Sequence, residues 1–113
     1  MQNVTEAPLL SPKGTFPATV VKVIDHYKLA INRGKHNVIR QGQRMMVYYI
    51  DDEEILDPNT GESLGYLELV KGTGRVIFVQ DKISIIESDK MIDKLGKRLP
   101  FENPQVGDLV KPI

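Results

Sequence analysis

With 113 residues, 41% of them hydrophobic, the chain is long enough for one ordinary core and too short for two. Fifteen Lys and Arg balance fifteen Asp and Glu, so no global field draws in nucleic acid or an anionic membrane, and any such binding has to be local. The absence of cysteine excludes disulfides, thiolate metal sites and a cysteine nucleophile.

Residues 1–14 hold Pro8, Pro12 and Gly14 without periodicity and read as a flexible tail, with one β-barrel domain expected over 15–113. Met1 to Leu10 has neither a basic start nor a long apolar run. A cytoplasmic location is therefore expected for the chain as written, and a periplasmic one if a leader has been removed. No apolar stretch approaches the ~18 residues of a spanning helix.

From Phe16 to Ile24 the β-branched residues are dense, which predicts a first strand. Val21 and Val23 would share one face, and Val20, Lys22 and Ile24 the other. Tyr27 to Asn32 alternates apolar and polar residues and reads as its hairpin partner. In Arg33 to Gln43, Gly34 and Gly42 bracket Val38 and Ile39, which predicts an excursion that tucks both apolar residues into the core. Arg44 to Ile50 restores the strand pattern, and a loop is expected from Asp51 to Leu64. Within that loop Asp57, Pro58, Thr60 and Gly61 have the composition of a tight turn: a side-chain acceptor, then proline, then glycine at the end. Gly65 to Val70 and Arg75 to Gln80 read as one long strand bent at Gly72-Thr73-Gly74, or as two with a kink between them. Asp81-Lys82 turns the chain into Ile83 to Glu87. Ser88 to Gly96 is expected to form one or two helical turns, capped by Ser88, with Met91, Ile92 and Leu95 inward. Gly107 to Ile113 reads as a last strand. The sum is an all-β fold, a small SH3-like barrel of about six strands with one short helical turn, because closure removes exposed strand edges.

Residues able to carry chemistry are few. Asp51, Asp52, Glu53, Glu54 and Asp57 are oxygen-rich, but neighbours in an extended chain point to opposite faces, so a solvated hairpin loop is expected and no metal site. His26 and His36 fall in loops without a second ligand at i+2 or i+4, and Ser63, Ser84 and Ser88 lack a nucleophile-elbow context. No catalytic residue and no cofactor are assigned. Arg33, Lys35, His36, Arg40 and Arg44 lie within twelve residues free of acid, a pattern that suits phosphate contacts but lacks stacking aromatics.

Asn32-Arg33-Gly34, Gln41-Gly42-Gln43, Val47-Tyr48, Asp57-Pro58-Asn59-Thr60-Gly61-Glu62, Leu64-Gly65 and Gly107-Asp108 form a pattern that recurs in a bacterial β module. Over about residues 16–113 the chain resembles the C-terminal domain of the flagellar assembly protein T. The resemblance implies a small SH3-like barrel used for protein–protein contact within an assembly, with no catalytic residues to carry over. The expectation is thus a non-enzymatic interaction or assembly module that binds another protein or a second copy of itself. Tyr48, Tyr49 and Tyr66 are the aromatic contact candidates, at least one of them expected to face inward. The alternative is a nucleic-acid-binding barrel that uses Arg33, Lys35, Arg40 and Arg44.

Overall fold

A computed structural model of the protein describes residues 16–90 and 97–113. The flexible tail expected over 1–14 and most of the helical segment expected after Ser88 lie outside the described residues. Six strands are present: β1 (Ala18–Asp25), β2 (Lys28–Ile31), β3 (Arg44–Leu56), β4 (Ser63–Val79), β5 (Ser84–Ser88) and β6 (Leu109–Pro112). They close into a barrel in the order β1-β2-β5-β4-β3-β6, and every neighbouring pair is antiparallel. A 3-10 turn, Lys35–Asn37, lies between β2 and β3. Among the described residues no helix is long and apolar enough to cross a membrane.

The β1–β2 hairpin turns where it was expected. Asp25 pairs with Lys28, and the Asp25 carboxylate accepts the Tyr27 N–H at 2.7 Å. The register slips between Val20 and Lys22, so Val20 is buried while Val21 is exposed and Val23 packs against the core. That slip overturns the simple alternation read for the first strand. Tyr27 is also exposed, and Ala30 is buried with Leu29 and Ile31. Its small side chain sits between the larger Lys22 and Ile85 of its two cross-strand partners.

Two long-range insertions plug the barrel ends. At one end the β2–β3 excursion hangs on the β4–β5 turn, with the N–H groups of Lys35 and His36 donating to the carbonyls of Gln80 and Asp81 at 2.9 and 3.2 Å. Ile39 enters the core from this excursion, whereas Val38, at φ 61°, stays exposed, contrary to the expectation that both tuck in. At the other end Phe101 is 1% exposed, and its N–H donates to the His26 carbonyl at 2.7 Å. Gly72 and Gly74 leave room for its ring: a Cβ on Gly72 would lie 2.9 Å from Phe101 Cδ1, and one on Gly74 3.2 Å from Cζ. The glycine bend in β4 therefore serves a residue from a distant segment of the chain. β4 is one continuous strand, which settles the choice between a bent strand and two.

Candidate protein-contact surface

β3 and β4, at thirteen and seventeen residues, outrun the four to eight residues of the other strands. β6 leaves β3 at Tyr48, and β5 meets β4 only from Gly74 onward. Among the described residues, 49–56 and 63–70 therefore pair only with each other. They form a two-stranded arm about 25 Å long at the usual rise per residue.

The tip is the turn the sequence specified. Asp57 Oδ1 accepts the N–H groups of Asn59 and Thr60 at 2.7 and 3.3 Å. Gly61 takes φ 76° and donates to the Asp57 carbonyl at 2.8 Å. Thr60 Oγ1 accepts the Glu62 N–H at 3.1 Å. The loop, however, is confined to 57–62. The expected loop over 51–64 is corrected: Asp51 to Glu54 belong to β3, and the register shift there sets Asp51, Asp52 and Glu53 against Leu67 alone. Among the described residues no group of three or more His, Asp or Glu side chains is arranged to hold a metal ion.

The three tyrosines have different settings. Tyr48 is only 4% exposed, with the Lys111 ammonium 4.7 Å from its ring centroid, so its role as a contact candidate is withdrawn. Tyr49 (39% exposed) lies at the arm's root, beneath the Lys71 ammonium at 4.9 Å. Tyr66 (55% exposed) stands further out, opposite Glu54. Because cross-strand partners share a face, Ile50, Tyr66, Glu68 and Val70 line one side, and Tyr49, Leu67 and Leu69 the other. Ile50, Leu67 and Val70 are each about half exposed, as are Leu56 and Leu64 near the tip. Apolar side chains thus meet solvent on both faces of the arm.

Charge is distributed as unevenly as exposure. Between residues 49 and 70 lie seven acidic residues and no lysine or arginine, so this stretch carries −7 and the rest of the chain +7. The zero total conceals an uneven distribution: all fifteen cations lie outside this stretch, with the other eight acids. Among the described residues one cation of the body pairs with an arm carboxylate, Lys111, which donates to Glu68 at 2.8 Å. That hydrogen bond, with the attraction of the Glu68 charge, raises the Lys111 pKa above its ordinary 10.5.

The root of the arm is fastened by a buried ion pair. Lys71 is unopposed in β3, because Val47 pairs with Gly72 and Tyr48 with Val70. Its ammonium donates to both Asp108 oxygens and to the Asn103 carbonyl, all at 2.9 Å. Asp108 also accepts the Gln105 N–H at 2.8 Å. A groove runs between Tyr49, Leu69 and Lys71 on the arm side and the 102–108 loop on the other.

The four cations proposed for phosphate contact are not equivalent. The Arg33 guanidinium donates to the Asn32 carbonyl and side chain at 2.9 Å and to the Pro17 carbonyl at 3.2 Å. Arg44 is paired with Asp89 and donates to Thr73 Oγ1 at 3.4 Å. Lys35 and Arg40 are exposed on the excursion. His26 and His36 are exposed in turns, as expected.

No family model matches the sequence, and no curated protein matches it significantly. The arm, Lys71, Phe101 and the charge separation were all missed by the sequence reading. Scanning charge in windows along the chain would have found the last of these.

Proposed function

We propose that the protein is a non-enzymatic contact module that uses the β3–β4 arm to bind a protein within an assembly. One observation carries the reading. An arm about 25 Å long exposes Tyr49, Ile50, Leu64, Tyr66, Leu67 and Val70, and it carries −7 with no basic residue of its own. Exposed apolar area in a contiguous patch marks a contact site more often than scattered apolar residues do, and tyrosine is enriched among the residues that anchor contacts. The barrel interior is filled by its own side chains, which suits a scaffold that presents an element rather than one that encloses a substrate. The likeness to the C-terminal domain of the flagellar assembly protein T supports the same kind of role.

The test places a photoreactive phenylalanine analogue at Tyr66, and at the exposed barrel residue Lys82 as control, in lysate of the protein's own host. Nuclease-resistant protein adducts from position 66 and none from 82 are expected. No adduct at 66 overturns the reading. Nucleic-acid adducts from the same probe placed at Lys35 and at Arg40 would replace it with the phosphate-binding alternative.

A further inference from the structure

The arm's acidity raises the question of what it complements, and the barrel wall holds a cationic counterpart. Arg44, Arg75, Lys90 and Arg98 line a groove of ≈ 540 Å³ on the outside of β3, β4 and β5, with Ile77 as an apolar surface and, among the described residues, Glu87 and Asp89 as the acids. Arg44 and Arg75 are direct cross-strand partners, an arrangement of like charges that costs stability in a sheet. Glu87 is the cross-strand partner of Arg75 on its other side, yet its carboxylate is bridged to Arg98 at 3.4 Å. Asp89 is taken by Arg44 and by the Thr73 hydroxyl at 2.6 Å. Among the described residues Arg75 and Lys90 make no hydrogen bond or ion pair through their side chains, so the groove keeps two uncompensated cations.

We infer that this groove receives the acidic arm of a second copy of the same chain, in a head-to-tail contact. The inference rests on the arm being a contact element and names its partner. On the arm, Asp52 and Glu53 are exposed and make no ion pair among the described residues. They cannot reach their own groove. Asp52 lies eight residues beyond Arg44 on the same strand, about 25 Å away at roughly 3.3 Å per residue. Charge complementarity is therefore satisfied between molecules and not within one.

The contact joins two different patches, so it is heterologous and propagates into a ring or a filament. It is also small. One face of a two-strand ribbon about 25 Å long and about 10 Å wide falls well short of the ~800 Å² per partner of a standard interface. Association is accordingly weak and dominated by charge, with a steep loss in salt.

Sedimentation velocity on the whole chain, from tens to hundreds of micromolar, tests this at low and moderate salt. Association is expected at about 20 mM salt and at least about tenfold weaker at about 300 mM. Two charge reversals identify the surfaces: Arg75→Glu with Lys90→Glu in the groove, and Asp52→Lys with Glu53→Lys on the arm. Among the described residues none of the four side chains makes an ion pair, and circular dichroism checks that both variants are folded. Each variant alone should be monomeric, and a 1:1 mixture should associate again because each reversed surface meets its complement. A wild-type chain that stays monomeric throughout, or folded variants whose mixture fails to restore association, overturns the inference. Cross-links from Tyr66 to a different protein alongside a monomeric chain would refute self-docking and leave the contact-module reading standing. No cross-link at all would remove that reading too.

Discussion

Replacing Lys71 with Met removes the charge that holds the root of the arm to the 102–108 loop while keeping most of the side-chain stem. The Lys71 and Asp108 side chains are 9% and 6% exposed, and among the described residues the carboxylate would be left with the Gln105 N–H as its donor. Breaking one side of a buried pair costs about 3–5 kcal/mol, because the remaining charge stays desolvated without compensation. A small domain has about 5–15 kcal/mol in all. With a urea slope near 2 kcal/mol per molar, the unfolding midpoint should fall by about 2 M. Adding Asp108→Asn removes the orphaned charge, so the double variant should recover more than half of the loss, and a double-mutant cycle reads that recovery as coupling. Amide exchange over 66–70 should accelerate in Lys71→Met beyond the global change, since the same ammonium also lies over Tyr49. A cost below about 1 kcal/mol, or a double variant no better than the single, would show that the pair is solvated and does not brace the arm.

Two glycines should respond in opposite degrees. A Cβ on Gly74 would overlap the Glu87 carbonyl oxygen and lie 2.9 Å from its carbon, so Gly74→Ala must displace β5 and should prevent stable folding. Gly65, at φ 91° with nothing within 4 Å, should cost only about 1 kcal/mol of backbone strain as Ala, read by thermal unfolding. Among the described residues the buried hydroxyls of Ser84 and Ser88 have no hydrogen-bond partner, so Ser84→Ala and Ser88→Ala should be neutral or stabilise by up to about 1 kcal/mol; a loss above that would reveal a bond to the hydroxyl. Lys111, whose folded pKa is raised, contributes stability that is complete below 10.5 and is lost as the pH climbs through the folded value. Glu68→Gln should bring the Lys111 titration, followed by NMR, back down toward 10.5, and stability between pH 6 and 9 should not depend on this pair's protonation.

The elements legible in the sequence are those whose cause is local. The turn at Asp57 was legible because its acceptor, proline and glycine each act within four residues. The bend at Gly72-Thr73-Gly74 was legible as a bend, but its reason was not, because Phe101 reaches it from a distant segment. The acidic residues Asp51 to Glu54 were read as loop because alternation is the signal for a strand, and alternation exists only where one face is buried. In an arm solvated on both sides no inward face imposes it. The same absence hid the arm's apolar residues. Ile39 and Val38 show the limit from the other direction: adjacent and chemically alike, they part because Val38 itself takes a left-handed conformation, which leaves it in solvent while Ile39 turns inward.

The arm's charge works against its own folding and in favour of its proposed contact, and salt separates the two effects. A lone two-stranded ribbon is marginal in water, and seven carboxylates along it add repulsion that, among the described residues, Lys111 offsets directly at Glu68. Acidic side chains on exposed strands also discourage indiscriminate edge pairing, which accounts for some of them without any partner. That explanation alone predicts no preference for a cationic groove. At low protein concentration, raising salt screens the repulsion and should slow amide exchange within 49–56 and 63–70. At high concentration the same change should dissociate the head-to-tail contact. Opposite slopes in one protein follow from an acidic arm that docks on a basic surface. If association instead strengthened with salt, apolar burial would be the driving force, and the groove formed by Arg44, Arg75, Lys90 and Arg98 would not be the receiving surface.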